Sequence, residues 1–573
     1  MNRQLARHLW PHLGAFLLYL LASTVLLGLP IHYNFLHEIT GKTSTDPMVF
    51  LWWLARWPRV LTLHSNPFYT HMIWAPVGQN IAWTTCIPGL AILLWPVTVT
   101  WGPVLSFNVA SITAPALAAT GMYLACQELQ IPWRSAFLGG RLFGFSSYEF
   151  AQLLGELNLA VIWALPFILW LFLRRLHNNI GRVPYIASTA ILAAFQFCVS
   201  SEIFASAVVF SSIAISLALV PDSNTNTARN VRKILPEVIV SLFISVLILS
   251  PYLYAMFSPT ALYYQKRTGI STSDVMADPL NFFIPTPVLW LGTRIFGSIG
   301  NGLAAGMSDI DAYLGIPFLG IIFLYFREFR QTSRGRYLLV TLATFALLSL
   351  GDRLRVHGQI TPVMLPWIIF THLPLMRKML PGRFAAYVAM PASLIAASWC
   401  AHSAAASWKK WGAVFLSVLF LLPNVEPMQI RGPVPEPPFF ATGQYRHYIK
   451  RNERIIVLPY GPSMWLQAAT HFYFRMVGGY VGGTEPLPFS GIPVDNALNG
   501  GPLPANYKSA FRSFLKKYRV GAIVVYGRED SDLQAILGSL PLRGKTVGGV
   551  TLFNLRSLSG AAQRTTAGRW VAA

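Results

Sequence analysis

His32–Pro88 reads HYNFLHEITGKTSTDPMVFLWWLARWPRVLTLHSNPFYTHMIWAPVGQNIAWTTCIP and follows directly on a long apolar run. It combines His32, His37, His64 and His71 with Glu38 and Asp46, and it is rich in tryptophan. No uninterrupted apolar stretch within it is long enough to cross a bilayer. Asp46 stands at the start of an amphipathic, aromatic pattern, VFLWWLARWPRVL, of the kind that lies along a membrane surface. This segment is therefore expected to be a large outer loop carrying surface helices, and the rest of the chain is placed around it.

The composition supports that placement. The 573 residues are 54% hydrophobic and only 12% charged, where a soluble domain carries about 25% charged residues. Mean hydropathy is +0.48. An integral membrane protein is implied. The net charge of +22, from 44 Lys and Arg against 22 Asp and Glu, fits basic loops facing anionic lipid. A nucleic-acid partner is excluded, because no basic polar domain exists to hold one. Cys86, Cys126, Cys198 and Cys400 form no CxxC pair, which argues against a disulfide framework or a cysteine metal site. The start MNRQLARHLWPH is a short basic flank before an apolar run with no A-x-A cleavage pattern, and is expected to be a retained anchor.

Orientation follows from the basic loops. A first span at about 11–31, with Arg3 and Arg7 before it, puts the N-terminus in the cytoplasm. GLAILLWPVTVTWG is short and broken by Pro96, and counting it as a crossing would put RRLHNNIGR outside. It is expected to be a surface or re-entrant helix. Further spans are expected at about 104–126, 134–150, 156–173, 183–200, 203–220, 234–256, 312–326, 337–351, 383–402 and 411–424, about eleven crossings in all. The basic segments RRLHNNIGR, ARNVRK, REFRQTSRGR and WKKW then share the cytoplasmic side. The fold class expected is an α-helical polytopic membrane protein with a small C-terminal α/β domain outside the membrane. Its membrane domain would be 1–424, with outer loops 32–103, 258–311 and 352–382, followed by a proline-rich linker at 425–440 and the α/β domain at 441–573. In that last part YRHYIKRNERIIVLPYG and YKSAFRSFLKKYRVGAIVVYG each read helix then strand, and KTVGGVTLFNL reads as a strand pair about Gly548–Gly549. No phosphate loop and no Ser/His/Asp motif appears there, so a structural or acceptor-recognition role is expected.

Ionisable groups at the ends of spans are costly and are functional candidates. On this topology Glu149 and Glu156 in SSYEFAQLLGELNL, Glu202 in VSSEIF, and Asp309, Asp311 and Tyr313 in SDIDAYLG converge with Asp46 on the outer side. Asn158 belongs to the same cavity. Lys266 and Arg267 in YYQKRTG, and Arg377, Lys378 and Arg383 in MRKMLPGRF, are outer-face cations that oppose the positive-inside trend. Arg141 falls inside an expected span and would pair with Glu149 or Glu156 or face the cavity.

The layout resembles the GT-C superfamily of membrane glycosyltransferases, which use polyprenyl-phosphate-linked sugars and include protein O-mannosyltransferases and the aminoarabinose transferase of lipid A. Carrying the resemblance are the anchoring first span, the long acidic first loop, the span ending YLACQEL followed by SAFLGGRLFGFSSYEF, and the outer α/β domain. DPMVFLWWLARWP with NPFYTHMIWAPVG, and HLPLMRKMLPGRF, resemble a bacterial branch of it. Architecture matches over the whole chain and sequence mainly over about the first 210 residues. Many members have a paired acidic motif in the first loop, whereas Asp46 is followed by Pro47, which leaves Glu38 as an alternative base.

The resemblance implies sugar transfer to an outer-side acceptor, a glycolipid, cell-wall polymer or protein, with inversion. Asp46 would be the base, with Glu202 and Glu156 as further catalytic candidates. Lys266, Arg267, Arg377 and Arg383 would clamp the donor phosphate. His64 and His71 would line the substrate cavity and assist or hold a divalent metal. The location implied is a bacterial inner membrane. The rival class is a transporter or flippase of lipid-linked sugars, against which stands the lack of an internal repeat or paired broken spans. A non-catalytic assembly or binding protein on the same fold is the third reading.

Overall fold

The computed structural model describes residues 3–42, 44–220, 226–259, 265–267, 276–303, 311–372, 379–426, 431–482, 484–527 and 531–556. Its contacts divide the chain into two units. One comprises residues 1–42, 104–249 and 270–432, and the other 43–103, 250–269 and 433–573. The first loop therefore groups with the C-terminal segment, not with the spans that flank it in sequence.

The first unit is helical. Among the described residues six helices are long and apolar enough to cross a membrane: Trp10–Ile31, Pro103–Glu128, Leu157–Leu176, Arg182–Val199, Ser201–Leu219 and Pro381–His402. Counting Ala228–Ile248 with Ser250–Phe257 as one broken span makes seven. The other four of the roughly eleven expected crossings fall on shorter helices. Ile316–Phe329 and Ser407–Phe420 have only 14 residues each, about 21 Å at 1.5 Å per residue, short of a hydrocarbon core of about 30 Å. Ser333–Ser349 has 17. The expected span 134–150 is in two pieces, Trp133–Gly144 and Ser147–Leu153, broken where the Ser146 hydroxyl accepts from the Glu149 N–H at 3.4 Å.

Small residues let these helices approach closely. A side chain at Gly140 would strike the Tyr19 hydroxyl and the Ala119 carbonyl, and one at Gly144 the Pro115 carbonyl. Gly139 faces Cys126 and Ala397. This small-residue face packs the Trp133–Gly144 helix against three others. Tyr19 completes the joint by stacking on Phe137 at 4.4 Å and donating to the Phe137 carbonyl at 2.6 Å.

The second unit holds a five-stranded mixed sheet in the order 545–547, 550–554, 522–525, 454–458, 475–476. Arg454–Leu458 and Ala522–Val525 run parallel at its centre, and both are fully apolar beyond Arg454, as strands covered on two faces must be. Val550–Asn554 joins antiparallel through the Gly548–Gly549 turn, where both glycines have positive φ. From the first loop, helix Thr45–Thr62 buries Trp52 and Trp53 completely. Trp52 Nε1 donates to Gln467 Oε1 at 2.7 Å, and Gln467 Nε2 donates to the carbonyls of Met72 and Phe474. Arg56, in the same helix, is buried and donates to the Pro67 and Tyr69 carbonyls, and burial pushes its guanidinium down to about 10. Pro88–Leu93 and Trp95–Trp101 are short separate helices, each too short to cross.

Candidate active site

In the helical unit, the candidates gather about the Ser147–Leu153 helix. Tyr148 is fully buried, donates to the Leu159 carbonyl at 3.0 Å, and lies within electrostatic reach of Glu149, Tyr387, Arg383 and Glu202. Glu149 is 0% exposed, and neither carboxylate oxygen has a hydrogen-bond partner among the described residues. Asn158 is also buried, with its Oδ1 equally unpartnered among them. Glu156 is half-buried just before the short Leu157–Ala160 helix.

Glu202 and Arg383 form an ion pair, Arg383 Nη1 donating to Glu202 Oε2 at 2.8 Å. The pair is partly shielded, with side chains 27% and 14% exposed. Four residues on along each helix, Tyr387 donates to the Ile203 carbonyl at 3.0 Å and shares a hydrogen bond of 2.8 Å with Ser206. Another four residues on, Phe210 stacks on Tyr387 at 4.3 Å. Helix Ser201–Leu219 and the span Pro381–His402 are thus joined along one face.

Asp311 is fully buried and takes hydrogen bonds from the Thr286 hydroxyl and, at 2.8 Å, from the Tyr313 N–H. Burial raises its pKa while these donors oppose the rise. Ser147 donates to the Tyr313 carbonyl at 2.8 Å, and Asn281 accepts from the Ala312 N–H. Asp311 and Tyr313 thereby tie the loop before Ile316 to the Ser147–Leu153 helix. A small cavity is lined there by Ser146, Ser147, Tyr148, Asp311 and Tyr313 together with Phe318 and Ala385. Arg141 stays within its own turn, donating to the Phe145 carbonyl at 3.1 Å, with its guanidinium 4.5 Å from the Phe145 ring centroid.

In the second unit, Asp46 occupies the first turn of helix Thr45–Thr62, where negative charge is favourable. His64 and His71 are exposed, and His71 Nδ1 lies 3.2 Å from the Pro76 carbonyl. Lys266 and Arg267 belong to a short strand whose backbone pairs with Thr484–Pro486, and their side chains lie outside the description. Asp309, Arg377 and Lys378 lie outside the described residues. Among the described residues no three or more His, Cys, Asp or Glu side chains converge, so the expected divalent metal finds no ligand set there.

One buried carboxyl in this unit escaped the sequence. Asp495 is 3% exposed and accepts from the Tyr460 hydroxyl at 3.1 Å, and burial pushes its pKa up to about 7, with Glu485 adding to the rise. Its sequence signal was an acid among Ile492, Val494, Ala497 and Leu498. Tyr148 and Tyr387 also went unread, since a tyrosine near a span end resembles any interfacial aromatic.

Solved structures of similar fold include an archaeal oligosaccharyltransferase and a mycobacterial arabinofuranosyltransferase. The oligosaccharyltransferase of Archaeoglobus fulgidus, in complex with Zn and sulfate, superposes with a TM-score of 0.53 at 14% identity, covering 89% of this chain and 68% of that one. The oligosaccharyltransferase AglB from the same organism, in complex with an inhibitory peptide and a dolichol-phosphate, gives 0.51 at 12% identity over 90% and 69%. The mycobacterial arabinofuranosyltransferase AftD gives 0.53 at 13% identity, covering 97% of this chain and 41% of that one. No protein-family model and no curated protein sequence matches.

Proposed function

We propose that this protein is a membrane glycosyltransferase that moves a sugar from a polyprenyl-phosphate donor to an acceptor hydroxyl outside a bacterial inner membrane. The observation that carries the reading is the fold, shared over nearly the whole chain with transferases of an oligosaccharide and of an arabinofuranosyl group. A dolichol-phosphate in complex with one of them supports a lipid-phosphate donor here. The acceptor would be a glycolipid, a cell-wall polymer or a protein.

The chemistry needs one base and a cationic clamp. The acceptor oxygen attacks the anomeric carbon, Asp46 takes its proton, and the carbon–oxygen bond to the phosphate breaks with the electron pair leaving on the phosphate. Direct displacement inverts the anomeric centre. Arg383, with Lys266, Arg267 and Arg377, would stabilise the departing phosphate charge.

The test is transfer by purified protein in detergent from radiolabelled polyprenyl-phosphate sugars to a membrane-extract acceptor. Asp46→Asn should lower turnover by about 10²–10⁴-fold while the protein stays folded. Retained turnover would move the base to Glu38 or Glu156. No transfer, with movement of lipid-linked sugar in liposomes instead, would make the protein a flippase.

A further inference from the structure

The Glu202–Arg383 pair is one contact in an aligned series. Glu202, Ser206 and Phe210 are spaced by four residues on one helix face, and all three meet Arg383 or Tyr387 of the other helix. The Tyr387 hydroxyl is fixed from two sides, by the Ile203 carbonyl and by Ser206. Hydrogen bonds and ring stacking thus set the axial register of the two helices, leaving Glu202 opposite the Arg383 head group. Its partnered oxygen is already engaged by a cation, and its other oxygen is buried without a hydrogen-bond partner among the described residues. A carboxylate held in this way is poorly placed to receive a proton from an acceptor hydroxyl. It is well placed to orient a guanidinium whose planar donors match phosphate oxygens.

We propose that Glu202 is a positioning residue that holds Arg383 in the orientation that grips the donor phosphate, and that the Ser206–Tyr387–Phe210 contacts only set the helix register. This rests on the glycosyltransferase reading, which supplies the phosphate. Glu202 then acts on donor affinity through Arg383, while the proton transfer proceeds elsewhere.

The experiment measures two quantities on the purified full-length protein: direct binding of undecaprenyl phosphate, and KM and kcat for donor in the transfer assay. Glu202→Gln keeps the shape and removes the charge, and it should weaken phosphate binding and raise donor KM by about tenfold, with kcat within about twofold of wild type. Arg383→Ala should weaken binding at least as much, and Arg383→Lys should restore only part of it, because an ammonium lacks the planar fork. Ser206→Ala should lower the thermal midpoint without changing donor KM. Should Glu202→Gln lose kcat while binding phosphate normally, Glu202 works in the chemistry and the proposal falls. Equal KM losses in Ser206→Ala and Glu202→Gln would reduce the pair to a structural tie and also overturn it. Failure of wild type to bind the phosphate would remove the donor reading itself, whereas normal binding by wild type and Glu202→Gln alike would remove only this proposal.

Discussion

Glu149 and Asp495 are both buried acids, and their surroundings set opposite expectations. A carboxyl without hydrogen-bond partners costs on the order of 1–3 kcal/mol relative to a satisfied or apolar group. Glu149 is such a group among the described residues. Glu149→Leu should therefore raise the unfolding midpoint in detergent while lowering transfer, the pattern of a residue kept for function at a cost in stability. An unchanged or lower midpoint would show that Glu149 has a stabilising partner. Asp495 instead has Tyr460, and a pKa pushed up to about 7. Unfolded aspartate titrates at about 3.9. The folded state thus holds its proton more tightly, so this group's contribution is complete below about pH 4 and is lost as pH rises towards 7. Asp495→Asn, measured against wild type by thermal unfolding, should remove that loss and be the more stable of the two at pH 8. Parallel profiles would show that the carboxyl does not titrate in this range.

Among the elements, the Trp133–Gly144 helix depends most visibly on side chains that are absent. Gly140 and Gly144 face backbone and the Tyr19 hydroxyl with no room for a Cβ. Gly140→Leu must therefore part the helices, and should lower the unfolding midpoint and the yield of folded protein, whereas Gly320→Ala, with nothing near its Cβ position, should not. Equal behaviour of the two variants would contradict the close packing. The glycines are plain in SAFLGGRLFGFSSYEF, but which helices they admit is not. Helix ends were similarly half legible. The apolar runs at 316–329 and 407–420 announce helices, yet hydropathy windows do not register that each is only about 21 Å long.

For the whole molecule, the telling feature is that the second unit is assembled from three separated stretches of chain. The Tyr460–Ala469 helix buries Met464 and Leu466, and helix Thr45–Thr62 from the first loop packs against it through Trp52 and Gln467. Expressed alone, residues 433–573 would lack that cover. The fragment should bind a hydrophobic dye and unfold without a sharp transition, and a fusion restoring residues 43–103 should regain cooperativity. A sharp transition in the fragment alone would show the sheet to be self-sufficient.

What the sequence determined by itself was whatever depends on composition and short-range periodicity. A chain with so few charges must be a membrane protein. The apolar runs at 454–458 and 522–525, each after a helical pattern, must be covered strands. The Gly548–Gly549 turn required positive φ, and Asp46 lies where the aromatic helix begins. Tertiary structure alone decided which residues meet. Glu202 faces Arg383 across 181 positions of chain, Trp52 meets Gln467 across 415, and Asp495 is buried against Tyr460. Hydrophobic patterning fixes which face of an element is hidden, but the partner beneath it is selected by packing between segments far apart in sequence. A carboxylate's charge, partner and reactivity follow from that selection.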